Sequence, residues 1–323
     1  RSTRLPRAIR DVYKRQGYNK VMVTGVIQAG SSLGILIPPS VVLVLYAMIA
    51  RQPVLQLWLA GIGPGLLMAA LFAIYIYIRC RLQPELGPTL PQEELDRITW
   101  HDRFVALRAG ILPLVVFGAM MGLFLTGVTS LVESSAVGAL LATLAALFTG
   151  RLNKIVWETT SRNSLTVTCM FLWIILAALC FSSVYDGLGA VKAIESVLLN
   201  TFDLSPWTIL ILMLFSFIIL GMFLDDTAML VIVAPLYIPL VKSLGFNAIW
   251  FGVLYTITCQ IAYITPPFGY NLFMMRALAP KEVTLIDIYR SIVPFFFLMV
   301  LTIILLMIFP QIAMWLPNWY TGR

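Results

Sequence analysis

The hydrophobic pattern is a succession of long apolar runs separated by short polar breaks. After Gly17 the runs fall at about 21–50, 54–79, 109–127, 131–149, 164–184, 206–224, 228–241, 248–276 and 291–310. A helix needs about 20 apolar residues to cross the hydrocarbon of a bilayer, and most of these runs suffice. Two kinds of run depart from the pattern. Segment 228–241 (AMLVIVAPLYIPLV) has 14 residues and two prolines, and follows 206–224 after only Asp225, Asp226 and Thr227. It predicts a re-entrant helical hairpin over 206–244 that dips in and returns to the same side. Runs 21–50 and 248–276 are long enough but are interrupted centrally by GILIPPS and ITPPFGYN. Adjacent prolines delete backbone donors and disfavour helix at the preceding residue. Unwound backbone at membrane depth is tolerated only where protein buries it or a cavity takes it in.

Composition narrows the class. Hydrophobic residues make up 60% of the 323, and charged residues 11%, under half the soluble average. A water-soluble fold of this size cannot hide so much apolar surface, which excludes a soluble enzyme; a disordered or fibrous chain is excluded as well. The reading is an all-α polytopic membrane protein. The net charge of +7 first suggests a nucleic-acid partner, but residues 1–16 hold six basic groups and one acid, so +5 of it lies there and no basic face remains. That segment, RSTRLPRAIRDVYKRQ, has no apolar core and reads either as a native cytoplasmic arm or as a non-native remnant; the remnant reading is preferred. Cys80, Cys169, Cys180 and Cys259 are scattered in or beside apolar runs and read as small hydrophobes.

Basic residues orient the spans. With the start of the first run inside and the hairpin counted as non-crossing, segments 79–108, 150–162 and 276–290 are cytoplasmic and hold eleven Lys and Arg, against four outside (Arg51, Lys192, Lys242 and Arg323). Loop 81–108 is the one sizeable cytoplasmic linker and holds the sole histidine, His101. The tryptophans at 58, 207, 250, 315 and 319 lie near span ends, where an aromatic belt would put them.

An internal repeat underlies the order of the runs. GYN at 17–19 is followed 18 residues later by Pro38-Pro39, and GFN at 245–247 is followed 18 residues later by Pro266-Pro267. On the orientation above the first broken span runs outward and the second inward. Paired, interrupted helices in an inverted repeat are the sequence mark of a secondary transporter's midplane site. The hairpin tip at Asp225 lies 41 residues before Pro266, so the corresponding hairpin of the first repeat would precede residue 1. The expectation is that the chain represents about the C-terminal three quarters of a transporter. Its parts then read as 17–80, the remainder of the first repeat; 81–108, the linker; 109–200, spans and an outer amphipathic segment; 201–290, the second repeat, with its broken helix at 248–276; and 291–323, the last span and tail.

GSSLGILIPPSVVLVLY, GMFLDDTAMLVIVAPLYIPLV and ITPPFGYNLFMMRALAP resemble the large membrane subunit of TRAP (tripartite ATP-independent periplasmic) transporters, and the likeness covers about 17–310. The resemblance implies a sodium-driven symporter with an elevator-type moving domain built on two hairpins. It also implies a small four-helix membrane subunit and a periplasmic solute-binding protein that delivers an organic acid to the bacterial inner membrane. The tip departs from the family: LDDTA stands where proline more often follows the first acid.

Sodium takes several oxygen ligands, and broken helices supply freed carbonyls with hydroxyls and an occasional carboxylate. Gly221, Asp225, Thr227, Thr265 and Gly269 are the candidates of the second repeat. Asp225 is either an ion ligand, because a carboxylate at membrane depth is costly, or a helix cap. Ser31, Ser32, Gly34 and Pro38 form the incomplete first site; their other reading is small residues that let helices approach closely. Ser40, Pro267 and Asn271 are the substrate-facing candidates, Asn271 standing at a reopened helix start where amides can face a carboxylate or bond a neighbouring helix. Glu133 reads as a cap at an outer span end, and Arg276 as a snorkelling cation. No His or Cys cluster suits a redox or metal enzyme, and no organic cofactor is expected. The two adjacent Asp do not suit an intramembrane protease. A stand-alone sodium-coupled carboxylate or arsenite carrier of similar hairpin architecture is the serious alternative, and a channel the weaker one.

Overall fold

The computed structural model describes residues 18–88, 100–197, 203–224, 226–266, 269–280 and 282–322. The basic segment 1–16, part of the linker, Asp225 and Pro267 lie outside the described residues. Every regular element among the described residues is helical: α1 (Lys20–Leu36), α2 (Val41–Ala50), α3 (Val54–Leu82), α4 (Trp100–Leu125), α5 (Leu131–Phe148), α6 (Lys154–Gly187), α7 (Ala190–Ser196), α8 (Pro206–Gly221), α9 (Asp226–Ser243), α10 (Ala248–Tyr263), α11 (Tyr270–Leu278), α12 (Leu285–Ile308) and α13 (Gln311–Thr321), with one 3₁₀ turn at Pro84–Leu86. Six stretches are long and apolar enough to cross a membrane, the α1–α2 pair counted as one. Helix α4 starts at Trp100, nine residues before its apolar run, so the linker is shorter than its polarity suggests. Polarity marks where a helix leaves the bilayer, not where it ends.

Two compact units result. One holds the chain up to Pro88 and from Ile174 onward; the other is Thr89–Trp173. In the second unit α5 opens with a capping box: Ser130 Oγ accepts from the Glu133 amide at 3.3 Å while Glu133 Oε2 accepts from the Ser130 amide at 2.7 Å. This satisfies the first-turn donors of the helix and gives Glu133 the capping role its position suggests.

The first unit is organised by the repeat. A shift of 228 residues carries Pro38 onto Pro266. It also carries α1, α2 and α3 onto α10, α11 and α12 to within three residues at each end. The shared Gly-aromatic-Asn motif has a local cause. Asn19 Oδ1 accepts from the amides of Val21 and Met22 at 2.9 and 3.2 Å, and Asn247 Oδ1 accepts from those of Ile249 and Trp250 at 2.8 and 3.2 Å. Both broken helices are therefore opened by the same asparagine cap.

Contacts fix their directions. Along α1, Lys20 pairs with Asp287 at 2.7 Å and Gln28 donates to Ser291 Oγ at 3.2 Å, so α1 and α12 run parallel. Between them, a Cβ on Gly25 would lie 2.5 Å from the Ser291 carbonyl, an approach only glycine permits. At the start of α10, Trp250 Nε1 donates to the Leu306 carbonyl at 3.0 Å, near the end of α12. Helix α10 therefore runs against α12, and the two broken helices point in opposite directions. They meet where Gln260 Nε2 donates to the Ser32 carbonyl at 2.9 Å, a separation of 228 residues. Each position is thus the other's counterpart in the repeat.

Prolines set many of the remaining bonds. Leu306 has no helical partner because Pro310 lacks an N–H, and Trp250 supplies that donor. Trp250 and Trp58 are buried, at 3% and 4% exposure. They serve the interior rather than the aromatic belt, whereas Trp207, Trp315 and Trp319 are exposed.

Candidate functional site

In the first repeat the helix stops at Ile37, whose backbone is extended, and restarts at Val41. Pro39 deprives the Ile35 carbonyl of its helical donor, and the Ser40 hydroxyl donates to that carbonyl instead. Ser40 Oγ also accepts from the Leu43 amide at 3.2 Å, and its carbonyl accepts from Trp58 Nε1 at 3.2 Å. At 1% exposure with both oxygens in use, Ser40 is a brace of the break, which corrects the expectation of an open substrate ligand. Pro38 is buried beside it.

Ser31 and Ser32 turn their hydroxyls back onto the Gln28 and Ala29 carbonyls, at 2.8 and 2.7 Å. A hydroxyl whose proton is spent in this way leaves its lone pairs for another group. Ser31 is exposed and Ser32 buried. Next to Ser31 the face of α1 is open: a Cβ at Gly30 or Gly34 meets no described atom within 4 Å.

The second repeat differs at the matching place. Ala262, the counterpart of Gly34, is covered by the turn of the α8–α9 hairpin, and a Cβ on Gly221 would lie 2.6 Å from the Ala262 Cβ. Tyr255 OH donates to the Asp226 carbonyl at 2.8 Å, which ties the first residue of α9 to the middle of α10. At the other end of the hairpin the Trp207 ring packs on Phe246 and Trp250, with centroids 5.1 and 6.2 Å away. The hairpin is therefore as deep as α10 alone, and its tip stops at the α10–α11 break. Helix α9 has 18 residues, four more than its apolar run, because Asp226, Thr227, Lys242 and Ser243 extend it.

At the break, Pro266 and Pro267 withhold the donors that the Ala262 and Tyr263 carbonyls would meet in a continuous helix. The Thr265 hydroxyl donates to the Ile261 carbonyl at 2.5 Å, and its oxygen retains lone pairs. Gly269 sits so tightly that a Cβ there would be 2.9 Å from the carbonyl oxygens of both Tyr263 and Thr265. A cavity of about 230 Å³ lies between the turn (Gly221 to Leu224) and Tyr263, Tyr270 and Phe273. The turn and the break are thus brought to one space, with Thr265 and Gly269 on its α10–α11 side. Thr227 follows in the first turn of α9, where its amide donates to Asp226 Oδ1 at 2.8 Å. The Asp226 carboxylate thereby caps its own helix. Asn271 is half-buried in the first turn of α11, and its side-chain amide has no hydrogen-bond partner among the described residues. Arg276 donates to the Val283 carbonyl at 2.7 Å. It therefore ties the end of α11 to the loop before α12.

Sequence reasoning missed the glutamines. Gln28 and Gln260, at 2% and 0% exposure, each carry a side-chain oxygen without a hydrogen-bond partner among the described residues. The 228-residue shift contains the signal that places Gln260 opposite Ser32.

The comparisons with known proteins agree with this geometry. Residues 7–312 match the family described as tripartite ATP-independent periplasmic transporter, DctM component. Among similar proteins, the C4-dicarboxylate TRAP transporter large permease protein DctM of Pseudomonas aeruginosa is 30% identical over 310 residues, 94% of this chain and 69% of the relative. The ectoine TRAP transporter large permease protein TeaC of Halomonas elongata is 30% identical over 311 residues, again 94% and 69%. The sialic acid TRAP transporter permease protein SiaT of Haemophilus influenzae is 29% identical over 321 residues, 97% of this chain and 48% of the relative. This chain belongs to the DctM family: it is the large permease subunit of a TRAP-type solute transporter, an inner-membrane protein and not an enzyme.

Proposed function

We propose that the chain drives uptake of an organic acid with sodium. A periplasmic solute-binding protein delivers the acid, and a small four-helix membrane subunit works beside the chain. The observation that carries this reading is the meeting of a helical turn with a proline-broken helix around one small cavity. Carbonyls freed by Pro266 and Pro267, the Thr265 oxygen and the neighbouring acid of the turn offer the several oxygens that sodium requires. In the bilayer an ionised Asp225 needs a counter-charge, and the facing stretch 261–271 contains no Lys or Arg. A bound cation satisfies the carboxylate and the carbonyls together. Gly221, Thr227 and Gly269 shape that site, and Ser31, Ser32, Gly34 and Pro38 hold the corresponding half-site of α1. Asn271 and the backbone at Pro267 face the acid.

The opposed directions of α1 and α10 support an inverted repeat. A hairpin no deeper than α10 supports a re-entrant element and an elevator-type moving domain. Relatives named for C4-dicarboxylate, sialic acid and 2,3-diketo-L-gulonate support an acid as the cargo.

The test is uptake by proteoliposomes holding the assembled transporter, with and without sodium and the binding protein. Asp225→Asn raises the sodium concentration for half-maximal uptake at unchanged folded yield, while Asp226→Asn, whose carboxylate caps α9, leaves it unchanged. Uptake that ignores the binding protein would identify a stand-alone carrier. A sodium dependence moved by Asp226→Asn and not by Asp225→Asn would overturn the ligand assignment.

A further inference from the structure

The unit Thr89–Trp173 carries a groove unrelated to the transport site. Helices α4 and α5 touch closely where a Cβ on Gly138 would meet Met120 Sδ at 3.1 Å. Further along, Ala142 and Ala146 of α5 stand opposite Leu112, Val116 and Phe117 of α4, and short side chains there leave an open groove of about 570 Å³. Pro113, also on its wall, interrupts the backbone bonding of α4 at the same level. The wall has almost nothing polar to offer, because Thr149 spends its hydroxyl on the Ala145 and Ala146 carbonyls at 2.8 and 3.3 Å. One group is different. Arg151 lies at the end of the groove, and its backbone amide is pinned to the Ala146 carbonyl at 2.9 Å. Its side chain is exposed, and its guanidinium has neither hydrogen bond nor ion pair among the described residues.

We propose that this groove binds an anionic phospholipid of the inner membrane, one acyl chain lying between α4 and α5 and the phosphate resting on Arg151. The placement fits. Helix α5 is a membrane span that ends at Phe148, so Arg151 stands just beyond the hydrocarbon, at headgroup level. The basic loop 150–162 puts that end on the cytoplasmic side, where cationic pockets between helices take anionic headgroups. Exposed Lys154 adds a second positive charge three residues on.

The shape argues against a partner helix. A helix about 10 Å across that rises 1.5 Å per residue fills roughly 120 Å³ per residue. The groove would therefore take about five residues, less than two turns. A hydrocarbon chain with an anion at one end matches both the apolar wall and the single terminal cation. The guanidinium also suits phosphate, because its planar fork can donate two hydrogen bonds to it.

The test is lipid retention by the purified full chain in mixed micelles of phosphatidylglycerol and phosphatidylcholine, read by native mass spectrometry. Arg151→Gln should lower the preference for phosphatidylglycerol about fivefold, the usual effect of one basic residue at an anionic surface. Ala146→Phe, which fills the groove and keeps Arg151, should lower retention of both lipids. An unchanged preference in Arg151→Gln would overturn the proposal even if the Phe variant folds poorly. Competition by inorganic phosphate as effective as by the lipid would reduce the site to a phosphate site. Cross-linking of cysteines at 117 and 146 to a neighbouring subunit in native membranes would show that a protein segment fills the groove, and would also overturn it.

Discussion

Gln260 offers a test in which the sign of a stability change carries the argument. Its Nε2 donates to the Ser32 carbonyl at 2.9 Å, its Oε1 has no hydrogen-bond partner among the described residues, and the residue is fully buried. Gln260→Met keeps the length of the side chain and removes both polar atoms. An interhelical hydrogen bond in a membrane protein contributes about 0.6 kcal/mol on average, rising to about 1.7. A buried acceptor without a partner costs about 1–3 kcal/mol. The two terms nearly cancel or favour methionine, so the thermal midpoint of the purified chain in detergent should stay level or rise. Gln260→Ala is the control for volume and should lose roughly 2 kcal/mol or more by leaving a cavity. Uptake should follow neither midpoint: with the bond between the two broken helices gone, the methionine variant should transport severalfold more slowly although it is well folded. A midpoint that falls in Gln260→Met by as much as in Gln260→Ala would refute the reasoning. It would mean that Oε1 is engaged in the membrane protein, by an ordered water or an ion.

Three smaller tests address the scaffold. Asn19→Ala and Asn247→Ala should each cost about 1 kcal/mol in thermal unfolding as an N-cap is lost, with aspartate restoring most of it. Ser40→Ala should cost about 1–2 kcal/mol, because the Ile35 carbonyl loses the donor that stands in for Pro39, and should leave the affinity for the solute unchanged; a large loss of affinity at full stability would return Ser40 to the substrate site. Asp287→Asn removes the Lys20 pair and weakens the capping box with Thr284. It should cost about 1 kcal/mol in low salt and less in high salt, as read from midpoints at two ionic strengths.

The repeat was legible because it is written in residues that act locally. A Pro-Pro pair breaks a helix by its own chemistry, and an Asn two residues before a helix's first free amides caps it wherever it stands. The same logic found the hairpin turn through its short second arm. What pattern reading misjudged depends on partners distant in sequence. Ser40 reads as an exposed hydroxyl until Trp58 and Ile35 are seen to use both of its oxygens. Trp250 reads as an interfacial anchor, although its real task is to replace the donor that Pro310 lacks, 60 residues away. Gln260 carries no motif at all, and its meaning appears only when α1 and α10 are laid against each other.

The contact that positions the site can be tested by exchanging two atoms. Gly221 ends α8, and a Cβ added there would lie 2.6 Å from the Cβ of Ala262, which is fixed to the backbone of α10 and cannot swing aside. Gly221→Ala must therefore push the hairpin tip away from the α10–α11 break. Overpacking of this kind costs about 1–3 kcal/mol, and it widens the 230 Å³ space where the turn meets Tyr263 and Tyr270. Uptake at limiting sodium should fall about tenfold or more, with a smaller loss when sodium saturates, because the ligands remain and only their spacing changes. Ala262→Gly alone costs roughly 1 kcal/mol of helix propensity and should transport well. The double variant moves the missing methyl from one helix to the other and restores the fit. It should recover most of the lost uptake and show a coupling energy of about 0.5–3 kcal/mol between the two positions. Simple additivity of the two changes would sink the idea, since the tip and α10 would then not be in contact in the working protein, and the meeting of turn and broken helix would not be what builds the site.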